Sequence, residues 1–283
     1  MNDNVFARIS QEYYYLTNAE KKIADFITLR QQETQFMSIS EMAEEVGVAE
    51  ASISRFCRKL GYRGYNAFKL AVANSTALRS AANPLSGEVL PEDSIPVMCQ
   101  KVYAADIDAI TQTLELTDPQ KIAAAAELLI QARRTLCMGQ GGSMLLAEEA
   151  AHLFSTALPD FYAIRDSHIQ IMRSTMLCAQ DAVMFFSYSG ATSSLMDILK
   201  IAKERQAKII LITRFPRSPG AAFADVVLEC GSREGPLQLG SIAARMAQLY
   251  LIDLLFSEVC RRDIEGCRSR RKMVADALTT RHL

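Results

Sequence analysis

Apolar positions along the chain change their period about halfway, and the change divides the sequence. Over residues 5 to about 30, Ile9, Leu16, Ile23, Phe26, Ile27 and Leu29 recur at helical spacing. They suggest two helical segments, the second entered through the capping-box pattern Thr17-Asn18-Ala19-Glu20. A short helix follows from Ser38 and stops at Gly47, where glycine suits a left-handed turn residue. A second helix begins near Glu50 and is closed by Gly61. Ile39, Met42, Ala43, Val46, Val48, Ile53, Phe56 and Leu60 are spaced to share one small core, which leaves Glu50, Ser52, Ser54, Arg55, Arg58 and Lys59 outside. Two short helices joined through a glycine turn predict a helix-turn-helix.

From Arg134 onward, short apolar runs alternate with helical patterns. Strands are predicted at 135–138, 161–164, 182–186, 208–213 and 225–230, with helices between most of them. Five strands at this spacing fit an open, doubly wound parallel α/β sheet better than an eight-fold barrel. The fold class is therefore an all-α helix-turn-helix domain followed by an α/β domain with a five-stranded parallel sheet. Between the two, Asn83-Pro84-Leu85-Ser86-Gly87 and Leu90-Pro91-Glu92-Asp93-Ser94 break the pattern. An amphipathic helix over 97–116, carrying Val102, Ile107, Ile110 and Leu114, either docks on the next domain or pairs with its copy in a dimer. Asp118-Pro119 starts another helix. The last helix, 241–259, is apolar on several faces, which places it in a dimer interface as well as on the sheet. The predicted organisation is a head at 1–79, a linker at 80–96, a connecting helix at 97–119, the α/β domain at 120–263 and a basic tail at 264–283. Arg268, Arg270, Arg271 and Lys272 give the tail its charge, and a frayed surface helix describes it better than a DNA contact.

Composition narrows the classes. The 283 residues suffice for two cores, and the apolar and charged shares are ordinary for a globular protein. Seven scattered cysteines, odd in number and never in a Cys-x-x-Cys pair, favour reduced thiols over a disulfide framework or a zinc site. Three histidines, none at metal-ligand spacing, argue against a metal, and nothing calls for a cofactor. Met1-Asn2-Asp3-Asn4 lacks the basic and apolar regions of a signal peptide, and no apolar run approaches a bilayer span, so the expected location is the cytoplasm.

A formal net charge of −1 says nothing about partners, but local charge does. Residues 51–80 contain six basic side chains, Arg55, Arg58, Lys59, Arg63, Lys69 and Arg79, and no acidic one. On a helix-turn-helix this is a face for double-stranded DNA. Arg58, Lys59 and Arg63 would contact phosphates, while Ser52, Ser54 and Arg55 are placed to reach base edges. A solvated face on a protein-binding domain is the plainer alternative.

In the second half, the apolar run Ala182-Val183-Met184-Phe185-Phe186 empties into Ser187-Tyr188-Ser189-Gly190-Ala191-Thr192-Ser193-Ser194. A strand feeding a hydroxyl-rich loop and then a helix is a place where backbone N–H groups and the helix dipole favour an anion. Gly190 permits a positive φ or a close backbone approach. A Ser/Thr helix cap with no ligand accounts for the same hydroxyls. A second loop, Gly139-Gln140-Gly141-Gly142-Ser143, opens after the first predicted strand. It is a weak signal alone, because it also resembles a dinucleotide turn.

Two resemblances to known families bear on function. Residues 38–69, with Ser-Arg-Phe-Cys-Arg-Lys-Leu-Gly-Tyr at 54–62, resemble the DNA-binding domain of RpiR/MurR-type bacterial transcriptional regulators. Ala49 departs from it, standing where a Ser or Thr often caps the recognition helix; Glu50 or Ser52 is then expected to take over. Gly139, Gly141 and Ser143, paired with Ser187, Ser189, Gly190 and Thr192, resemble the sugar isomerase (SIS) domain, which binds phosphosugars, over residues 120–262. The resemblance implies that Ser187, Ser189 and Thr192 bind phosphate, with Ser143 beside it or on the sugar and Gly141, Gly142 and Gly190 lining the site. It also implies that His168 and Glu234 are near the sugar, although a helix-start histidine and a solvated loop carboxylate explain them as well. Arg214, at a strand end, faces either the ligand or solvent. Together these imply a homodimeric or higher-order transcriptional regulator, more often a repressor, whose operator binding responds to a sugar phosphate. The rival reading is an aldose-ketose phosphate isomerase with an accessory head, for which Glu234 and His168 are the candidate bases. A third is a protein-binding module with a nonfunctional pocket.

Overall fold

A computed structural model describes residues 4–35, 37–82, 89–231 and 241–279. Residues 83–88 of the expected linker, Glu234 with its loop, and His282 lie outside these residues. The described residues form two compact units, an amino-terminal one through Ala105 and a carboxyl-terminal one from Asp106.

Helices build the first unit: α1 (Val5–Glu12), α2 (Asn18–Leu29), α3 (Gln31–Thr34), α4 (Ile39–Val46), α5 (Glu50–Lys59) and α6 (Tyr65–Ala82), with a single 3-10 turn at Tyr13–Tyr15. The capping box expected at Thr17 is present, Glu20 reaching back to the Thr17 N–H, and Ser38 with Glu41 forms a second one on α4. Gly47 ends α4 with φ +71°, as the turn requires. Met42, Ile53, Phe56 and Leu60 are buried with Val5, Phe6, Ile9, Ile23 and Ile27, while Ile39, Val46 and Val48 pack at the margin. Phe68 and Val72 of α6 complete the core, the Phe68 ring meeting Phe56 edge-on at 6.1 Å. The helix-turn-helix is thus clamped between α1–α2 and α6. Truncating Phe56 would cost about 3–5 kcal/mol.

The helix α7 (Ile95–Leu116) precedes α8 (Pro119–Gln131), which starts with the Asp118 carboxylate accepting from the Gln120 N–H. The α/β unit then runs β1 (Arg134–Gly139), α9 (Gly142–Phe154), β2 (Phe161–Ala163), α10 (Ser167–Thr175), β3 (Asp181–Phe186), α11 (Ser193–Glu204), β4 (Lys208–Thr213), a 3-10 turn (Pro219–Ala222), β5 (Val226–Glu229), α12 (Ile242–Arg262) and α13 (Ile264–Thr279). The sheet is parallel, in the order β2-β1-β3-β4-β5. Side-chain alternation along β3 explains the double winding. Met184 and Phe186 join the core shared with α8, α9 and α12; Val183 and Phe185 join the core under α11. Both faces are covered, hence the unbroken apolar run.

At the amino end of β3, the central strand, the fully buried Asp181 accepts from the Cys178 N–H and from the Arg133 and Arg134 guanidiniums. Burial by itself raises this carboxyl. The Cys178 N–H and Arg134 outweigh it, and Asp181 titrates below the ordinary aspartate range.

The tail departs from the frayed helix expected of it. The α13 helix is anchored: Cys267 is buried, Arg270 bonds the Ala157 carbonyl and pairs with Asp263, and Arg271 lies over the Phe256 ring. Its arginines are partly used within the unit. No helix among the described residues is long and apolar enough to cross a membrane.

Candidate functional site

On the head, the second helix of the motif presents Arg55 and Arg58 to solvent, with Ser52 and Ser54 half-buried beside them, and Arg63 exposed in the following turn. An Arg55 Nη donates to Ser52 Oγ at 3.2 Å, which gathers the two across the first turns. Lys59 is placed differently from the phosphate contact expected of it: Nζ donates to the Tyr15 carbonyl at 2.8 Å and to Glu20 Oε2 at 2.9 Å, fastening α5 to α2. Its charge is met inside the head, and the same bonds help hold the Glu20 carboxyl below its usual range against the opposing effect of burial. The cap also differs. Neither Glu50 nor Ser52 replaces Ala49, and α5 opens with no side-chain cap. Glu50 instead accepts from Ser40 Oγ across the motif, tying α5 to α4.

In the α/β unit, β1 and β3 lie side by side with Gly139 opposite Phe186, so the glycine and hydroxyl loops leave adjacent strand ends. Sheet order changes direction here, with β2 to one side of β1 and β3 to the other. Such a switch point opens a crevice beyond the strands' carboxyl ends. The glycine loop is held close. A Cβ on Gly139 would meet the Ser143 carbonyl oxygen at 2.6 Å, and Gly141 opens α9 at φ +55° with no side chain to cap it. Below the loop, fully buried Gln170 donates to the Gly139 and Ile164 carbonyls and accepts from Gln140 Nε2.

The hydroxyl loop is fixed by β4. The Ser187 N–H donates to the Ile212 carbonyl, and the Tyr188 carbonyl accepts from Arg214 N–H and Thr213 Oγ1 at 3.0 Å each. Gly190 adopts φ +60°, and its carbonyl accepts from the Gly220 N–H. Ser187 is buried, its Oγ accepting from the Gly190 N–H at 3.1 Å, while Ser189 is half-buried and Thr192 exposed. Thr192 occupies the cap position of α11 and makes no cap hydrogen bond. A loop whose hydroxyls serve only to cap the helix would show one. Instead the helix presents its first amides and its dipole to the crevice.

A cavity of ≈ 160 Å³ is lined by Gln140, Gly142 and Ser143 on one side, by Tyr188 of the hydroxyl loop, and by Arg245 and Gln248 of α12; Ser187, Ser189 and Thr192 are not among its lining residues. His168 stands exposed in the first turn of α10, away from this lining. Arg214 takes neither expected position. It is 6% exposed and paired with Glu229 at 2.8 Å. Burial pushes the Glu229 carboxyl up, and the Arg214 charge pulls the other way.

Comparison with known proteins agrees with both halves. Residues 3–79 match the model of the helix-turn-helix domain of the rpiR family, and residues 128–258 match the SIS domain. An uncharacterized helix-turn-helix-type transcriptional regulator of Haemophilus influenzae is 32% identical, covering 90% of this chain and 89% of its own. The chain belongs to the rpiR family of transcriptional regulators. Among solved structures, the NanR protein of Vibrio vulnificus complexed with ManNAc-6P shares the fold over 98% of both chains, at 22% identity and a TM-score of 0.64. A putative sugar-phosphate isomerase of Listeria monocytogenes shares it over 64% of this chain and 98% of its own, at 16% identity and a TM-score of 0.57.

For this rpiR-family chain, sequence reasoning missed Gln170, Tyr188, Arg245 and Gln248. The last two carried a readable signal: polar residues at i and i+3 within a helix that is otherwise largely apolar.

Proposed function

We propose that this regulator binds a sugar phosphate between the 139–143 and 187–192 loops, and that the bound ligand shifts its affinity for operator DNA. The observation that carries the reading is the uncapped amino end of α11 beside the Ser187, Ser189 and Thr192 hydroxyls, at a sheet switch point. Ser143, in the first turn of α9, faces the shared cavity and supplies a further hydroxyl, with Gly141, Gly142 and Gly190 allowing close backbone approach. The DNA face is Ser52, Ser54, Arg55, Arg58 and Arg63, on two heads of a homodimer spanning half-sites. Exposed apolar residues Ile95, Val102 and Tyr103 on α7 favour such pairing. Coupling of about 1–3 kcal/mol between ligand and DNA would change operator affinity roughly 5- to 150-fold.

Sensing without turnover is part of the proposal. Isomerisation needs a base near the sugar's first two carbons; the relative named as a transcriptional regulator, matched over 90% of this chain, favours sensing. A thermal-shift screen of the full chain against a phosphosugar panel tests the reading. At least one sugar phosphate should stabilise the protein, and Thr192→Ala should weaken that effect by about 1–3 kcal/mol in ligand affinity. Equal stabilisation of both proteins would remove the phosphate loop from the account, and turnover at ordinary enzyme rates would refute the sensor.

A further inference from the structure

The shared cavity has one wall that the phosphate loop does not explain. Gln248 is 2% exposed and donates from Nε2 to the Ala244 carbonyl at 3.3 Å, but its Oε1 is buried with no hydrogen-bond partner. One turn earlier on the same helix face, Arg245 Nε is also buried without a partner. No ion pair meets the Arg245 guanidinium among the described residues. Unsatisfied buried groups of this kind destabilise the ligand-free protein. The guanidinium also stands in the first turn of α12, where the helix dipole disfavours a cation. An anion beside Arg245 would relieve both. Across the cavity stand Ser143 and Gly142 in the opening turn of α9, a second helix amino end with no side-chain cap.

We propose that Arg245 and Gln248 hold a second anionic group of the effector, a carboxylate or a second phosphate, at the end remote from the phosphate bound by the 187–192 loop. This rests on the sugar-phosphate reading above and narrows it: the preferred ligand is doubly anionic. A guanidinium matches carboxylate or phosphate oxygens in a two-pronged geometry that a neutral hydroxyl does not exploit. Gln248 Nε2 can add a donor, while its Oε1 accepts from a ligand hydroxyl.

Calorimetry on the full chain tests this with probes matched in pairs: glucose 6-phosphate against 6-phosphogluconate, and fructose 6-phosphate against fructose 1,6-bisphosphate. The doubly anionic member of at least one pair should bind at least about tenfold tighter. Which pair shows the gap tells carboxylate from phosphate. Arg245→Met should bring that ratio to about one while leaving the ligand-free Tm close to the parent's, because the half-exposed guanidinium has no partner among the described residues to lose. Thr192→Ala should weaken all four probes and leave the ratio. Equal binding within both pairs, or an Arg245→Met protein that keeps the ratio, overturns the inference and leaves the sugar-phosphate reading standing. Binding of none of the four, with no effect of Thr192→Ala, overturns both.

Discussion

Helix α5 carries Arg55 and Arg58 into solvent on long side chains, whereas the 187–192 loop is built mostly from backbone held by its neighbours. The first surface draws its specificity from side chains that project outward, so its chemistry survives small adjustments beneath it. The second depends on where amides and hydroxyls sit, so it is only as good as the packing behind it. Their glycines show the contrast. Around Gly47, in the motif's turn, a Cβ would meet nothing within 4 Å; on Gly190 it would lie 2.1 Å from Ser218 Oγ and 3.0 Å from Thr213 Oγ1.

The largest effect should therefore come from Gly190→Ala, which combines a strained positive φ with that clash. A loss of about 2–4 kcal/mol is expected, with ligand binding abolished and operator affinity retained in whatever protein stays folded. Thermal unfolding and operator titration measure the two; a Gly190→Ala protein as stable as the parent would remove the contrast.

Next is the scaffold at the amino end of the central strand β3. Asp181 is held below its ordinary range, so it contributes stability that is present above the unfolded value of about 3.9 and is lost as pH falls through its lower folded value. Asp181→Asn should cost about 1–3 kcal/mol at neutral pH, by leaving the Cys178 N–H and the two arginines without their acceptor. Denaturant titrations should show the parent losing this increment between about pH 4 and its folded value, and the variant losing correspondingly less over that window. A parallel pH dependence in the two proteins would contradict the assignment.

On the DNA side, Arg55→Ala should weaken operator binding by about 1–3 kcal/mol and relax base preference, with sugar-phosphate affinity untouched. Selection from random duplexes followed by anisotropy reads both, and an unchanged preference would take Arg55 off the bases. The smallest effect belongs to Lys59→Met. Because Lys59 is bound to Glu20 and Tyr15, the variant should lose up to about 1 kcal/mol of stability, and the salt dependence of DNA binding should keep its slope. A reduced slope would return Lys59 to the phosphate contacts.

The same difference decides what the sequence disclosed. Helix periodicity, the Thr17-Glu20 box and the basic run from Arg55 to Arg63 are local signals, and the head followed from them. The inner strands β1, β3 and β4 were legible because burial on both faces gives unbroken apolar runs, and Gly190 because a positive φ selects glycine. The bonds Lys59 makes were not legible because its partners Tyr15 and Glu20 lie some forty residues away, at sequence separations of 44 and 39. Arg214 was unplaceable for the same reason: its position depends on Glu229, which only the β4–β5 pairing brings near. The anchoring of α13 rests on Ala157, 113 residues earlier, and no local pattern in a basic tail announces that.

The central claim is that one chain reads DNA with α5 and a sugar phosphate with the 187–192 loop, and that the two are coupled. Titrating a selected operator duplex with the full chain, with and without the best stabilising sugar phosphate, and repeating with Thr192→Ala tests it most directly. The account predicts a roughly 5- to 150-fold change in Kd for the parent, and for the variant an unchanged Kd without ligand and a lost response to it. A Thr192→Ala protein that responds to the ligand as fully as the parent would contradict it.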